Sequence, residues 1–90
     1  MLTVVPSRRF LKEAKLAEKR GLDIAKLNAV IALLSAESDL PDRLHDHGLT
    51  GGWKGYRDCH IQPDWLLIYK VEAGRVYLAR TGTHSDLFSK

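Results

Sequence analysis

The sequence predicts an α+β fold: an N-terminal strand, an antiparallel helix pair, a three-stranded antiparallel meander and a short C-terminal helical turn. Three observations carry that prediction. Apolar residues recur at helical spacing between Phe10 and Leu34, and the second half of the chain switches to strand-like runs. Proline and glycine fall at the junctions, at Pro6, Gly21, Pro63 and Gly74. Helices gathered ahead of a run of strands favour a helix pair packed on one face of an antiparallel sheet.

Each element has its own reason. Residues 2–5 (Leu-Thr-Val-Val) suit a short strand ended by Pro6. Ser7 is a natural N-cap for a helix over Arg8 to Arg20, which Gly21 stops. Phe10, Ala14 and Ala17 share one face of it, leaving Arg8, Lys12, Lys15 and Lys19 largely outside. Asp23 caps a second helix in which Ile24, Leu27, Ile31 and Leu34 form a core-facing stripe. The link around Gly21 is so short that the two helices must run antiparallel. Pro41, Gly48, Gly51, Gly52 and Gly55 punctuate a loop bearing His45 and His47. Residues 54–61 then alternate as a strand, with Tyr56, Asp58 and His60 on one face and Arg57, Cys59 and Ile61 on the other. After the turn Gln62-Pro63-Asp64, the apolar run Trp65 to Val71 reads as a central strand covered on both sides. Glu72-Ala73-Gly74 turns the chain into a last strand, Arg75 to Thr81, and Thr83 caps a helical turn carrying His84, Leu87 and Phe88.

A chain of 90 residues is expected to form a single domain spanning 1–90. No apolar segment approaches the roughly 20 residues that cross a bilayer, so a membrane is not an expected partner. The start lacks the basic lead-in and apolar length of a secretory leader, and Cys59 is the single cysteine. A reducing cytoplasm is the expected location. Net charge is +3, and six cations (Arg8, Arg9, Lys12, Lys15, Lys19, Arg20) precede Gly21 against only Glu13 and Glu18. Such a basic helix suits a nucleic acid or an acidic protein, although a solvated helix face has the same composition.

The chemistry gathers between Asp46 and Phe88. Three of the four histidines, His47, His60 and His84, lie there beside Asp58 and Asp64. Imidazoles next to carboxylates suit proton transfer near neutral pH. Cutting RNA without a metal needs a base for the 2′-hydroxyl, an acid for the leaving 5′-oxygen and cations for the phosphate. His47, His60, Asp64 and His84 are the candidate catalytic groups; Arg80, Lys54 and Arg57 are candidate phosphate ligands. Trp65 and Phe88 are candidate stacking platforms, with burial in the core as the competing reading. Asp58 has a duller role available, neutralising Arg57 or Arg80. His45 reads as polar surface. Zinc is disfavoured because Cys59 and His60, adjacent on a strand, face opposite ways, and no phosphate-cradling glycine loop is present. No cofactor is expected.

These residues also form a long pattern. The run from Asp46 to Lys70, including Trp53-Lys54-Gly55-Tyr56-Arg57-Asp58 and His60 to Trp65, resembles the YafQ-type toxins of the RelE/ParE superfamily. Arg80-Thr81-Gly82-Thr83-His84 through Phe88 is similar to their C-terminal motif, and the likeness extends to the basic first helix, Lys15 to Arg20. The resemblance implies a type II toxin: a ribosome-dependent endoribonuclease that cuts translated mRNA in the ribosomal A site and is neutralised by a cognate antitoxin. It places the family's catalytic and substrate-contacting positions on His47, His60, Asp64, Trp65, His84 and Phe88, with His84 favoured as general acid. Cys59 stands where a small residue is expected, and His45 is an additional histidine. Gyrase-inhibiting members of the superfamily, ParE-like, are the alternative; they do not need this histidine set.

Overall fold

The computed structural model describes residues 1–88. In chain order the elements are β1 (Thr3–Pro6), α1 (Arg8–Lys19), α2 (Ile24–Ser35), β2 (His47–Gly48), β3 (Arg57–Gln62), β4 (Trp65–Glu72), β5 (Arg75–Gly82) and α3 (His84–Phe88). Two short 3-10 turns, Asp42–Leu44 and Gly51–Trp53, flank β2. The sheet order is β1-β5-β4-β3-β2, with β1 parallel to β5 and every other pair antiparallel. The expected helix pair, meander and terminal turn are all present. Two details differ: residues 54–56 belong to the loop rather than to β3, and β2 adds a two-residue edge that composition did not signal.

Local chemistry sets the boundaries. The side chain of Ser7 accepts from the backbone N–H of Phe10 and donates to the carbonyl of Ala79, tying α1 to β5. That carbonyl is available because the register between β4 and β5 slips there, pairing Ile68 with Arg80 but Tyr69 with Leu78. Asp23 caps α2 through the N–H of Ala25. At the β4–β5 turn, Ala73 and Gly74 both have positive φ, +53° and +77°, the conformation of a tight two-residue hairpin.

The helices cover one face of the sheet. Phe10, Ala17, Leu27, Val30 and Leu34 pack against Cys59, Ile61, Trp65, Leu67, Tyr69, Val76 and Leu78. The opposite face is smaller: Leu66, Ile68 and Leu87, covered by Leu49, Trp53, Tyr56 and Ala79. Every residue from Trp65 to Tyr69 is therefore buried, which accounts for the unbroken apolar run. Among the described residues no helix is long and apolar enough to cross a membrane.

One polar tie joins α1 to the sheet. Glu13 accepts from Nε of Arg80 at 3.2 and 3.3 Å and also from Nη2, with side-chain exposures of 17% and 11%. Taking away one member of such a sheltered pair strands the other. Glu13→Ala is expected to cost about 2 kcal/mol in denaturant unfolding, less than the roughly 3–5 kcal/mol of a fully buried pair because some solvent reaches this one.

Candidate active site

Strand alternation brings the acid–base groups to one end of the sheet. Asp58 and His60 are two residues apart on β3 and share a face; β2 pairs His47 directly with Asp58. The register of β3 against β4 shifts between His60 and Gln62, a bulge that turns this end of the strand. The turn after β3 supplies Asp64, and α3 supplies His84.

His60 occupies the centre. Its ring centroid lies 5.4 Å from that of His84, 6.4 Å from His47 and 5.6 Å from His45. The outer imidazoles each face a carboxylate. Nδ1 of His84 donates to Oδ1 of Asp64 at 2.7 Å, and the backbone N–H of His84 donates to the same oxygen at 2.9 Å. These two bonds hold the Asp64 carboxyl below its usual range, the backbone N–H contributing most. Nδ1 of His47 donates to the carbonyl of His45 at 2.8 Å and lies 3.2 Å from Oδ1 of Asp58. In both rings the Nδ1 side is engaged, leaving Nε2 for a substrate.

Asp58 is the residue that sequence reasoning undervalued. It pairs with neither Arg57 nor Arg80; it is 3% exposed, and its Oδ1 has no well-directed hydrogen bond among the described residues. The contact with His47 is close enough to attract but poorly aligned, because that N–H is already aimed at the His45 carbonyl. Burial pushes the Asp58 carboxyl up, while His47, His60 and His84 pull it back. His60 shifts the other way: burial lowers its pKa, Asp58 opposes that, and the neighbouring imidazoles add to the lowering. The available signal was alternation, since an acidic residue inside a strand on the face of a histidine is seldom only surface charge. His45 is exposed, as expected of polar surface, yet it neighbours the His60 ring. Its backbone is left-handed (φ 48°, ψ 44°), which sequence periodicity does not reveal.

The candidate substrate ligands separate. Arg57 lies on the other face of β3 from Asp58 and His60; its Nε donates to Asp46 at 3.1 Å, a bond that raises its pKa and keeps it charged. As a phosphate ligand beside the imidazoles it is corrected by strand parity. Arg80 is corrected by its pairing with Glu13 in the groove beneath α1. Trp65 is corrected too: it is 2% exposed and its indole N–H donates to Thr81 at 2.9 Å, so neither ring face is free for stacking. Phe88, 39% exposed at the end of α3, does present a ring, and Lys54 is exposed in the loop before β3. Cys59 is buried on the helix side with its thiol pushed up to about 12 by burial, so it is not a nucleophile.

α3 itself is clamped. Thr83 and Asp86 cap each other, with Thr83 N–H to Asp86 and Asp86 N–H to Thr83, both at 3.1 Å. Arg20 donates to Asp86 at 3.0 Å, so the end of α1 steadies the helix that presents His84. Gly82 makes room for this, since a Cβ there would lie 3.0 Å from the Asp86 side chain.

A family model for the bacterial toxin of the type II toxin–antitoxin system YafQ matches residues 2–89. The chain belongs to the YafQ toxin family. It is 47% identical over 83 residues to the mRNA interferase toxin YafQ of Escherichia coli K12, covering 91% of this chain and 90% of that protein. The fold matches the toxin in the E. coli DinJ–YafQ toxin–antitoxin complex with a TM-score of 0.88, 44% identity and 97% of each chain covered. It matches a metal-bound toxin from Helicobacter pylori with a TM-score of 0.92 and 40% identity, over 98% of this chain and all of that one. The YafQ family assignment makes this chain the toxin of a type II pair, and mRNA interferase names an endoribonuclease.

The metal-bound relative prompts a test of the donor set. Among the described residues no group of three or more His, Cys, Asp or Glu side chains converges to hold an ion. In this YafQ family member Nδ1 of His47 and Nδ1 of His84 are each engaged by protein oxygens, so these two rings do not offer that nitrogen to an ion.

Proposed function

We propose that this toxin is a ribosome-dependent endoribonuclease that cuts translated mRNA by histidine–aspartate acid–base catalysis. The observation that carries the proposal is the central His60 flanked by two imidazole–carboxylate pairs, His84–Asp64 and His47–Asp58. His60, biased toward its neutral form, takes the proton of the 2′-hydroxyl as that oxygen attacks phosphorus. The P–O5′ bond breaks, and His84 gives a proton from Nε2 to the departing 5′-oxygen, with Asp64 holding the opposite side of the ring. His47, backed by Asp58, donates an N–H from Nε2 to the negatively charged phosphate oxygen. Asp64 orients His84 through two bonds to one oxygen. The ends left are a 2′,3′-cyclic phosphate and a 5′-hydroxyl.

The partners follow from the surface. On α1, Arg8, Arg9, Lys12, Lys15 and Lys19 are exposed, and Leu11 and Leu16 are exposed among them. A cognate antitoxin with acidic and apolar residues covers this helix, and ribosomal phosphates attract the same charge in its absence. The site of action is the cytoplasm, where translating ribosomes are.

The test is cleavage of a defined mRNA by the purified toxin with and without translating ribosomes, followed by end analysis. Cleavage is expected only on ribosomes, with cyclic-phosphate ends and no loss on adding a chelator at magnesium levels that keep ribosomes intact. Inhibition of gyrase without any RNA cleavage would overturn the reading. The pH profile offers a further check. A general base must be deprotonated to act, so the acidic limb of kcat/KM is expected below the ordinary imidazole value of about 6.5. Asp58→Asn removes the carboxylate that raises the pKa of His60 and is expected to move that limb to still lower pH.

A further inference from the structure

A cleft of about 760 Å³ opens beside the imidazoles, within the range of roughly 300–1,000 Å³ typical of ligand pockets. His45, His47 and His60 form part of its wall; His84 does not. Its floor is the buried side chains of Leu44 and Ile61. Two cations from separate parts of the chain stand on its rim, Lys26 from α2 and Arg43 from the turn before His45. No aspartate or glutamate lines it.

Most other arginines near the sheet are committed internally: Arg57 to Asp46, Arg80 to Glu13 and Arg20 to Asp86. Among the described residues, neither Lys26 nor Arg43 forms an ion pair. Isolated surface cations are ordinarily just solvated. Two of them on one cleft, above an apolar floor and sharing a wall with His60, are placed as a phosphate-and-nucleoside site is built. Direction matters as well. His45 and His47 line the cleft and His84 does not, so the cleft adjoins His60 on the side of those two rings.

We infer that this cleft is the subsite for the nucleotide adjoining the scissile phosphate: Arg43 and Lys26 bind its phosphodiester, and the Leu44–Ile61 floor receives its ribose or base. The inference rests on the ribonuclease reading above and deepens it. Phosphodiesters of mRNA and of ribosomal RNA have the same chemistry, so the experiment must separate them.

Cleavage is measured on ribosomes programmed with a synthetic mRNA, for wild type, Arg43→Ala, Lys26→Ala and the double variant. Each single change is expected to raise KM about 10-fold with kcat within about twofold, the pattern of lost uniform binding by a charge-assisted contact. Arg43→Lys should recover part of the loss. Both residues are exposed, so thermal unfolding is expected to be unchanged. In the decisive arm, an uncharged methylphosphonate replaces the phosphate next to the scissile one, on each side in turn. One of the two substitutions should raise the wild-type KM by a similar factor and leave the double variant unaffected. Wild-type KM in both single variants, with His84→Ala inactive, would overturn the subsite while the ribonuclease reading stands. If neither substitution raises the wild-type KM while the double variant remains impaired, the cations act on ribosomal RNA and the subsite is overturned too. If the wild type cleaves no RNA, both readings fall.

Discussion

His84→Ala slows mRNA cleavage by about 10²–10⁴-fold, the usual contribution of one positioned acid–base group. His84 is exposed and contributes only its bonds to Asp64 at the surface, so the fold and antitoxin binding are expected to survive. Two controls separate a chemical role from a merely positional one. Asp64→Asn keeps an acceptor oxygen for the His84 N–H bonds but removes the charge; it should lower kcat less than His84→Ala does. An mRNA with a 5′-thio leaving group, which departs without protonation, should restore much of the rate to His84→Ala and nothing to a variant lacking the base. Cleavage by His84→Ala at the wild-type rate would remove this histidine from the mechanism. Single-turnover measurement on programmed ribosomes gives the answer directly, since it excludes product release.

Trp65→Ala is expected to destabilise the fold by about 3–5 kcal/mol, in the range for truncating a buried large aromatic side chain. Two losses combine. The indole fills space among the residues of the helix-facing core, and its N–H is the donor to Thr81, whose hydroxyl in turn donates to the carbonyl of Leu66 at 2.7 Å. Trp65→Phe keeps much of the volume and leaves Thr81 short of one donor, so it should cost less, about 1–2 kcal/mol. Urea unfolding followed by circular dichroism reads both. If Trp65→Ala unfolds at the wild-type midpoint yet loses RNA affinity, the indole acts at the substrate and the burial argument fails. Together with His84→Ala, the pair separates residues that hold the toxin together from residues that do its chemistry.

The distinction between those two kinds of residue was only partly visible in the sequence. The elements were legible because each depends on local chemistry. Ser7 and Asp23 cap their helices, Gly21 ends the first, and the apolar run Trp65 to Tyr69 forms the strand buried on both faces. The pairing of Asp58 and His60 on one face was legible too, since it depends only on alternation along β3. The long motif from Asp46 to Lys70 pointed to the family that the family model matches.

Interactions between distant segments were not legible. Arg80 has the right chemistry for a phosphate, but the packing of α1 against β5 places Glu13 on its guanidinium. Trp65 has the right ring for stacking, and its position on the central strand buries it. Asp58 looked like a partner for an arginine; the two-residue strand β2, too short to leave a periodic trace, sets His47 opposite it instead. His45 joins the imidazoles through a left-handed turn, and Lys26 meets Arg43 only because α2 packs beside the loop. The sequence by itself determined which segments become helix or strand and which residue types are available for acid–base chemistry, because propensity, capping and alternation act over a few neighbouring residues. Tertiary structure alone decided which charges are neutralised, which aromatics are buried and which imidazoles meet a carboxylate, because those outcomes depend on contacts between distant segments, such as Glu13 and Arg80, 67 residues apart.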